Sequence, residues 1–282
     1  MSTSTAAPAD RAAVLDRTLV QVARVGMVTP CMARITFAGP GLSAFPSGPP
    51  DQWVRLFLPR PWQTRPLLPA SRAWWPELQA MPEDARPILR NYTVRRMRPE
   101  AGELDVEFVL HGHDGPASSW AARAAPGDWA GLLAQPGTYH PLPPAGWQLL
   151  AGDETALPAI GAILESLVPG TRARVFIEVP GPRDMQDLST RGEVSITWLP
   201  RSDHPGDPSP LLRAIRQAAL PEGPPYVWVA GETGLISAVR RHLVAERGLD
   251  RRSICFCGYW RRGGRGRSDT RLDADGTTRH PG

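Results

Sequence analysis

Residues 147–168, WQLLAGDETALPAIGAILESLV, carry the reading that decides the fold. Trp147–Gly152 is an apolar run of strand length. Past GDET the pattern changes. Ile160, Ile163, Leu164 and Leu167 recur at spacings of three and four, the period of a helix over 156–168. Downstream the alternation repeats, with strands at 174–179, 194–199, 226–230 and 253–258 and helices at 210–220 and 235–246. Strands alternating with helices predict a parallel sheet covered on both faces.

Upstream the rhythm is different. Runs at 18–29, 32–39, 51–59, 88–97, 103–111 and 127–134 read as strands at short intervals, which predicts a six-stranded antiparallel β-barrel. Residues 60–87 are dense in Pro and Trp and fit no period, so they form a long connection of the kind that serves as a lid or surface excursion. The stiff stretch PLPPAG at 141–146 marks the change of fold. The expected plan is a barrel domain at 16–143 and an α/β domain at 144–263, with disordered ends at 1–15 and 264–282.

A chain of 282 residues can bury a core without disulfides. Its 41% hydrophobic and 21% charged residues are those of a globular protein, and no apolar run is long enough to span a membrane. The N-terminus lacks the basic-then-apolar order of a secretion signal, and three cysteines are too few for a secreted framework. The expectation is a cytoplasmic protein. Every one of the 32 basic residues is Arg, against 28 acids. They read as scattered among the acids, which argues against nucleic acid as a partner. Any bound anion must be held by Arg, His or backbone N–H groups.

Two segments carry chemistry. In Arg90-Asn91-Tyr92-Thr93-Val94-Arg95, Arg90 and Tyr92 share one strand face while Thr93 and Arg95 share the other. A flavin dinucleotide needs a cation for its diphosphate, a flat ring against the isoalloxazine and a small donor near the reactive nitrogen. Both faces can serve one ligand only if the strand twists or ends there. The other reading is an ordinary barrel strand with exposed arginines. In HGHDGPASSWA (111–121) a strand ends in a Gly-rich turn, and Pro116 suits the first position of a short helix. Small residues at 117 and 118 would let a diphosphate approach its backbone N–H groups.

These motifs, followed by GDETALPA (152–159), AGE (230–232) and GYWRRG (258–263), resemble the siderophore-interacting protein family over about 18–263. The resemblance implies an FAD-containing ferric-siderophore reductase related to the ferredoxin–NADP reductase fold. It would have an FAD-binding barrel and an α/β domain resembling a nicotinamide-binding one. By that pattern Arg90, Tyr92, Thr93, Val94 and Arg95 contact FAD. His111, Gly115, Pro116, Ala117, Ser118 and Trp120 follow from the second motif, and Thr155 from the third. The family holds its anionic chelate on a basic patch, to which Arg55 and Arg261 would contribute beside Trp260. A third cation expected after the last barrel strand is missing from Ala134-Gln135-Pro136-Gly137-Thr138. Arg123 or an arginine of 60–72 would substitute, or the chelate is less anionic.

The electron donor is open between NAD(P)H and ferredoxin. Asp153 and Glu154 place two carboxylates where a nicotinamide dinucleotide's diphosphate would lie, and Glu232 repeats the pattern. Cys255 and Cys257 fall on one face of a strand and read first as small core residues, with a redox or metal pair as the alternative. A general NAD(P)H:flavin oxidoreductase and a siderophore-binding module without turnover are the competing functions.

Overall fold

The fourth barrel strand changes neighbours part-way along its length, and this closes the first sheet. The computed structural model describes residues 17–110, 115–141 and 145–263. The expectations for 1–15, for 264–282 and for the middle of the 141–146 linker lie outside them. The sheet contains β1 (Arg17–Thr29), β2 (Met32–Ala38), β3 (Trp53–Leu58), β4 (Ile88–Thr93), β5 (Arg96–Arg98), β6 (Glu103–Val109) and β7 (Trp129–Gln135). Its order is β4-β3-β7-β1-β2-β6-β5, antiparallel at each pairing. The six expected strands become seven because one of them breaks at Val94–Arg95. The Val94 N–H donates to Gln52 O on the β3 side at 2.8 Å, and the Arg95 N–H donates to Asp105 O on β6 at 2.9 Å. One segment thereby supplies both ends of the strand order and closes the barrel.

Alternation decides which side chains fill it. Val54, Leu56 and Leu58 point inward to meet Ile35, Phe37, Val106, Phe108 and Leu132. A short helix, α2 (Pro116–Ala121), plugs one end, with the Trp120 ring 6.2 Å from Phe37 and 6.0 Å from Phe108. On the outside, the 60–87 excursion folds back through α1 (Trp74–Ala80). Trp74 and Leu78 cover Phe57, Leu89 and Leu133 there.

The second sheet has the order β10-β9-β8-β11-β12 and is parallel throughout. Its strands are β8 (Trp147–Gly152), β9 (Arg172–Val179), β10 (Glu193–Pro200), β11 (Pro225–Glu232) and β12 (Ile254–Trp260). The helix α3 (Leu157–Ser166) covers one face, and α4 (Pro210–Gln217) and α5 (Thr233–Arg241) cover the other. The chain runs outward from β8 to β10 and returns to β11, so the order reverses between β8 and β11. That reversal is where open α/β sheets usually take a ligand.

The two sheets meet at Asp51, buried just before β3. Its carboxylate accepts from the Thr138 and Tyr139 N–H groups at 2.9–3.0 Å, from the Thr138 hydroxyl at 2.8 Å and from Trp228 Nε1 on β11 at 3.0 Å. A Cβ at Gly137 would collide with this carboxylate, so the glycine is required there. Asp51→Ala leaves three buried N–H donors without an acceptor, each costing about 1–3 kcal/mol. The expected outcome in urea unfolding is a loss of ~3 kcal/mol or more, whereas a loss under ~1 kcal/mol would show that the hub carries little of the stability.

Candidate functional site

The strand break resolves the problem of the two faces. Tyr92 lies on the inner side opposite Val54, with its ring 4.3 Å from Phe108, while Thr93 lies on the outer side opposite Trp53. The backbone leaves β3 directly after Thr93, so both residues border the same end of the barrel. Arg90 is half-buried on the Tyr92 side, and its Nη1 donates to Leu89 O at 2.7 Å. Burial lowers its pKa, and burial raises that of Tyr92 above the ordinary tyrosine value.

A second element reaches this point. β12 brings Tyr259 towards Thr93, whose side chain opposes part of the rise that burial gives the Tyr259 pKa. Tyr259 keeps 37% of its surface exposed, yet its hydroxyl end is enclosed, which raises its pKa well above the usual value. The next residue, Trp260, is 36% exposed and donates from Nε1 to Asp153 Oδ2 at 2.8 Å. The first and last sequence motifs thus converge, and Tyr259 joins the candidate residues. Its only signal in sequence was its place beside Trp260 in GYWRRG.

Several expected contacts are otherwise engaged. Arg95 is buried and crosses to α3, where Nη2 donates to Glu165 at 2.6 Å, with Glu107 at 3.7 Å from Nε. A Cβ at Gly161 would already press on its guanidinium. Arg95 Nη1 remains a buried donor without a hydrogen-bond partner. Arg55 is 0% exposed, its guanidinium 5.2 Å from the Trp53 ring and 5.1 Å from the Trp74 ring. Burial pulls its pKa down to about 10. Thr155 is bonded to Asp153 through both its N–H and its hydroxyl. Arg261 is exposed at the end of β12. The 134–138 segment that lacks a cation serves Asp51 instead. His111 lies outside the described residues.

The donor set fits a flavin dinucleotide. Val94 occupies the break, Tyr92 offers a half-buried ring, Arg90 a cation, and Arg95 Nη1 an orphaned donor. Gly115 and Pro116 open α2, in which Ala117, Ser118 and Trp120 are buried. Six residues make too short a helix for much of a dipole, so charge recognition rests on arginine.

At the β8/β11 reversal the carboxylates are present but buried. Asp153, 2% exposed, accepts from the Glu232 N–H at 2.8 Å besides Thr155 and Trp260, and burial raises its pKa. Glu154 is clamped by both terminal nitrogens of Arg201 at 2.7 Å, and Arg201 also reaches Glu178 at 3.3 Å. Glu232 caps α5 through the Leu235 N–H.

Residues 21–139 match the family model of the siderophore-interacting FAD-binding domain, and residues 145–263 match that of the siderophore-interacting protein. Ferric vibriobactin reductase ViuB of Vibrio cholerae is 33% identical over 250 residues, covering 87% of this chain and 89% of that protein. The chain belongs to the siderophore-interacting protein family. A siderophore utilization protein from T. fusca superposes with a TM-score of 0.74 at 35% identity, covering 88% of this chain and 94% of the other. A ferredoxin reductase of carbazole 1,9a-dioxygenase shares the fold alone, with a TM-score of 0.60 at 18% identity over 86% of this chain and 68% of the other.

Two outcomes follow from this geometry. Arg90→Ala should weaken FAD binding about tenfold or more in a fluorescence titration, and unchanged affinity would remove Arg90 from the site. Cys255 and Cys257 are half-buried and free, and burial raises both pKa values, that of Cys257 to about 12. At pH 8 only about one Cys257 in 10⁴ is a thiolate, so iodoacetamide should modify the folded protein far more slowly than the unfolded one. Rapid modification of either cysteine in the native state would contradict their core role.

Proposed function

We propose that the chain is an FAD-dependent reductase of ferric siderophores that works in the cytoplasm. The observation that carries the reading is the barrel's broken strand, which brings Arg90, Tyr92 and Thr93 to one end. In this reading residues 16–143 form the FAD-binding domain and 144–263 the α/β domain. Arg90, with the first turn of α2, would hold the diphosphate. The Tyr92 ring would lie along the isoalloxazine, and Thr93 would sit at its reactive edge. The residues that would hold FAD there would gain from it a store of two electrons that can be passed on singly, the stoichiometry that Fe(III) requires.

The protein's own part is placement. Reduction of Fe(III) needs close approach rather than an acid–base pair, and the partly exposed Trp260 and the exposed Arg261 would be the residues an anionic chelate meets. Arg55, buried against Trp53 and Trp74, would add positive potential to that approach. The vibriobactin reductase named above supports the same substrate class for this chain.

Anaerobically reduced, FAD-loaded protein should be reoxidised by a ferric catecholate or hydroxamate faster than by buffer, with Fe(II) trapped by ferrozine. Reoxidation by dioxygen or free flavin alone, with no response to any ferric chelate, would overturn the substrate assignment. It would favour the general NAD(P)H:flavin oxidoreductase.

A further inference from the structure

The broken strand leaves the barrel without an open edge, but the parallel sheet has two. An open strand edge invites pairing with another strand, and proteins guard such edges with charges, prolines or bulges. At one edge, β12 is interrupted by a register shift that skips Tyr259. The other edge is β10, whose pairing with β9 runs unbroken from Glu193 to Pro200. Between Glu193 and Arg201 it carries no charge, and its one proline stands at the end. Among the described residues β9 is its one strand partner. Val194, Ile196, Thr197 and Trp198 are half-buried there, and Ser195 is exposed.

The sequence of this edge, RGEVSITWLPRSD at 191–203, is complementary to itself. A second copy related by a two-fold axis pairs antiparallel, and the symmetry sets one residue opposite its own copy. With the axis at Thr197, Ile196 of each copy meets Trp198 of the other on the α3 face, and Thr197 meets Thr197 on the opposite face. Aromatic–β-branched and Thr–Thr pairs are among the favourable cross-strand partners. At the two ends Glu193 meets Arg201 and Arg191 meets Asp203, opposite charges that the symmetry forms twice. Moving the axis by one residue destroys the match. At Ile196 it sets Arg191 against Arg201, and at Trp198 it sets Glu193 against Asp203. Arg191, Glu193 and Asp203 are exposed. Arg201 gives three of its five N–H donors to Glu154 and Glu178, which leaves two for Glu193 of the other copy. The same register carries Asp203 of the other copy toward a groove of about 400 Å³ beside Glu193 and Ser195, lined by Arg172 and Arg174. At ~3.3 Å per residue the paired stretch 194–200 makes a ladder about 23 Å long.

We propose that a second copy of this chain pairs with β10, antiparallel about Thr197, so that two parallel sheets join into one continuous sheet across a two-fold axis. The interface lies at the sheet edge away from Tyr259 and Trp260, so both candidate coenzyme sites of the dimer stay open. The inference stands apart from the reductase reading and uses none of its residues.

In analytical ultracentrifugation the full chain should pass from the mass of one copy to that of two as its concentration rises from ~1 to ~100 μM, the range of a small interface. Hydrogen exchange of the β10 amides that do not bond to β9 should slow over the same range. Thr197→Lys sets two ammonium groups against each other at the axis and should weaken association about tenfold or more, with the far-UV circular dichroism unchanged. Arg191→Glu or Asp203→Arg alone puts like charges together twice in each dimer and should weaken it about tenfold. The two together exchange the charges and should restore association to within about threefold of the parent. These exposed positions keep the test decisive should Thr197→Lys fail to fold. A one-copy mass at 100 μM, association indifferent to the β10 variants, or a double variant no tighter than either single one would each overturn the proposal. So would outward β10 amides already protected at 1 μM, because the chain's own residues would then cover the edge.

Discussion

A closed six-position barrel needs one strand to pair with both edges of the sheet, and here that strand does so by breaking. Between Val94 and Arg95 consecutive N–H groups turn from Gln52 on one neighbour to Asp105 on the other. A regular strand would keep Tyr92 and Thr93 on opposite faces along its whole length. The break puts both at a rim, where one planar ligand can touch a ring on one side and a hydroxyl on the other. The covalent order Arg-x-Tyr-Thr-x-Arg makes sense only at such a place.

Around the break, buried polar groups set the relation between the two sheets. Asp51 gathers donors from the segment that follows β7 and from Trp228 in the parallel sheet, and Arg95 reaches Glu165 on α3. The negative charge of Asp51 also adds to the burial that keeps Cys255, Cys257 and Tyr259 protonated. Buried ion pairs contribute less to net stability than to fixing one arrangement among several. In this fold the arrangement matters because Tyr259 and Thr93 belong to different sheets.

Much of the fold was legible because each sheet shows its own period. Barrel strands bury one face and alternate, whereas β8 and β11, covered on both faces, read as continuous apolar runs. The helix α1 was not legible, since Trp74-Trp75-Pro76-Glu77 has no periodic apolar face and is held by packing on Phe57 and Leu89. The candidate site was half legible. Arg90, Tyr92 and Thr93 stand out through residue type and spacing. The burial of Arg55 depends on Trp74, far along the chain, and the capture of Arg95 depends on Glu165 in the other sheet's helix. Asp51 gave no signal either, because its partners lie at 138, 139 and 228. The acids at 153 and 154 stand out by their charge, but the clamp by Arg201 that neutralises Glu154 is a contact between strand ends that only folding creates.

The most direct measurement is a crystal structure of the protein grown with FAD. The account predicts the isoalloxazine at the barrel rim against Tyr92 and Thr93, the diphosphate beside Arg90 and the first turn of α2, and Asp153 still bonded to Glu232 and Trp260. Coenzyme density in the β8/β11 crevice, or a rim whose space is taken up by the chain's own side chains at saturating FAD, would contradict it.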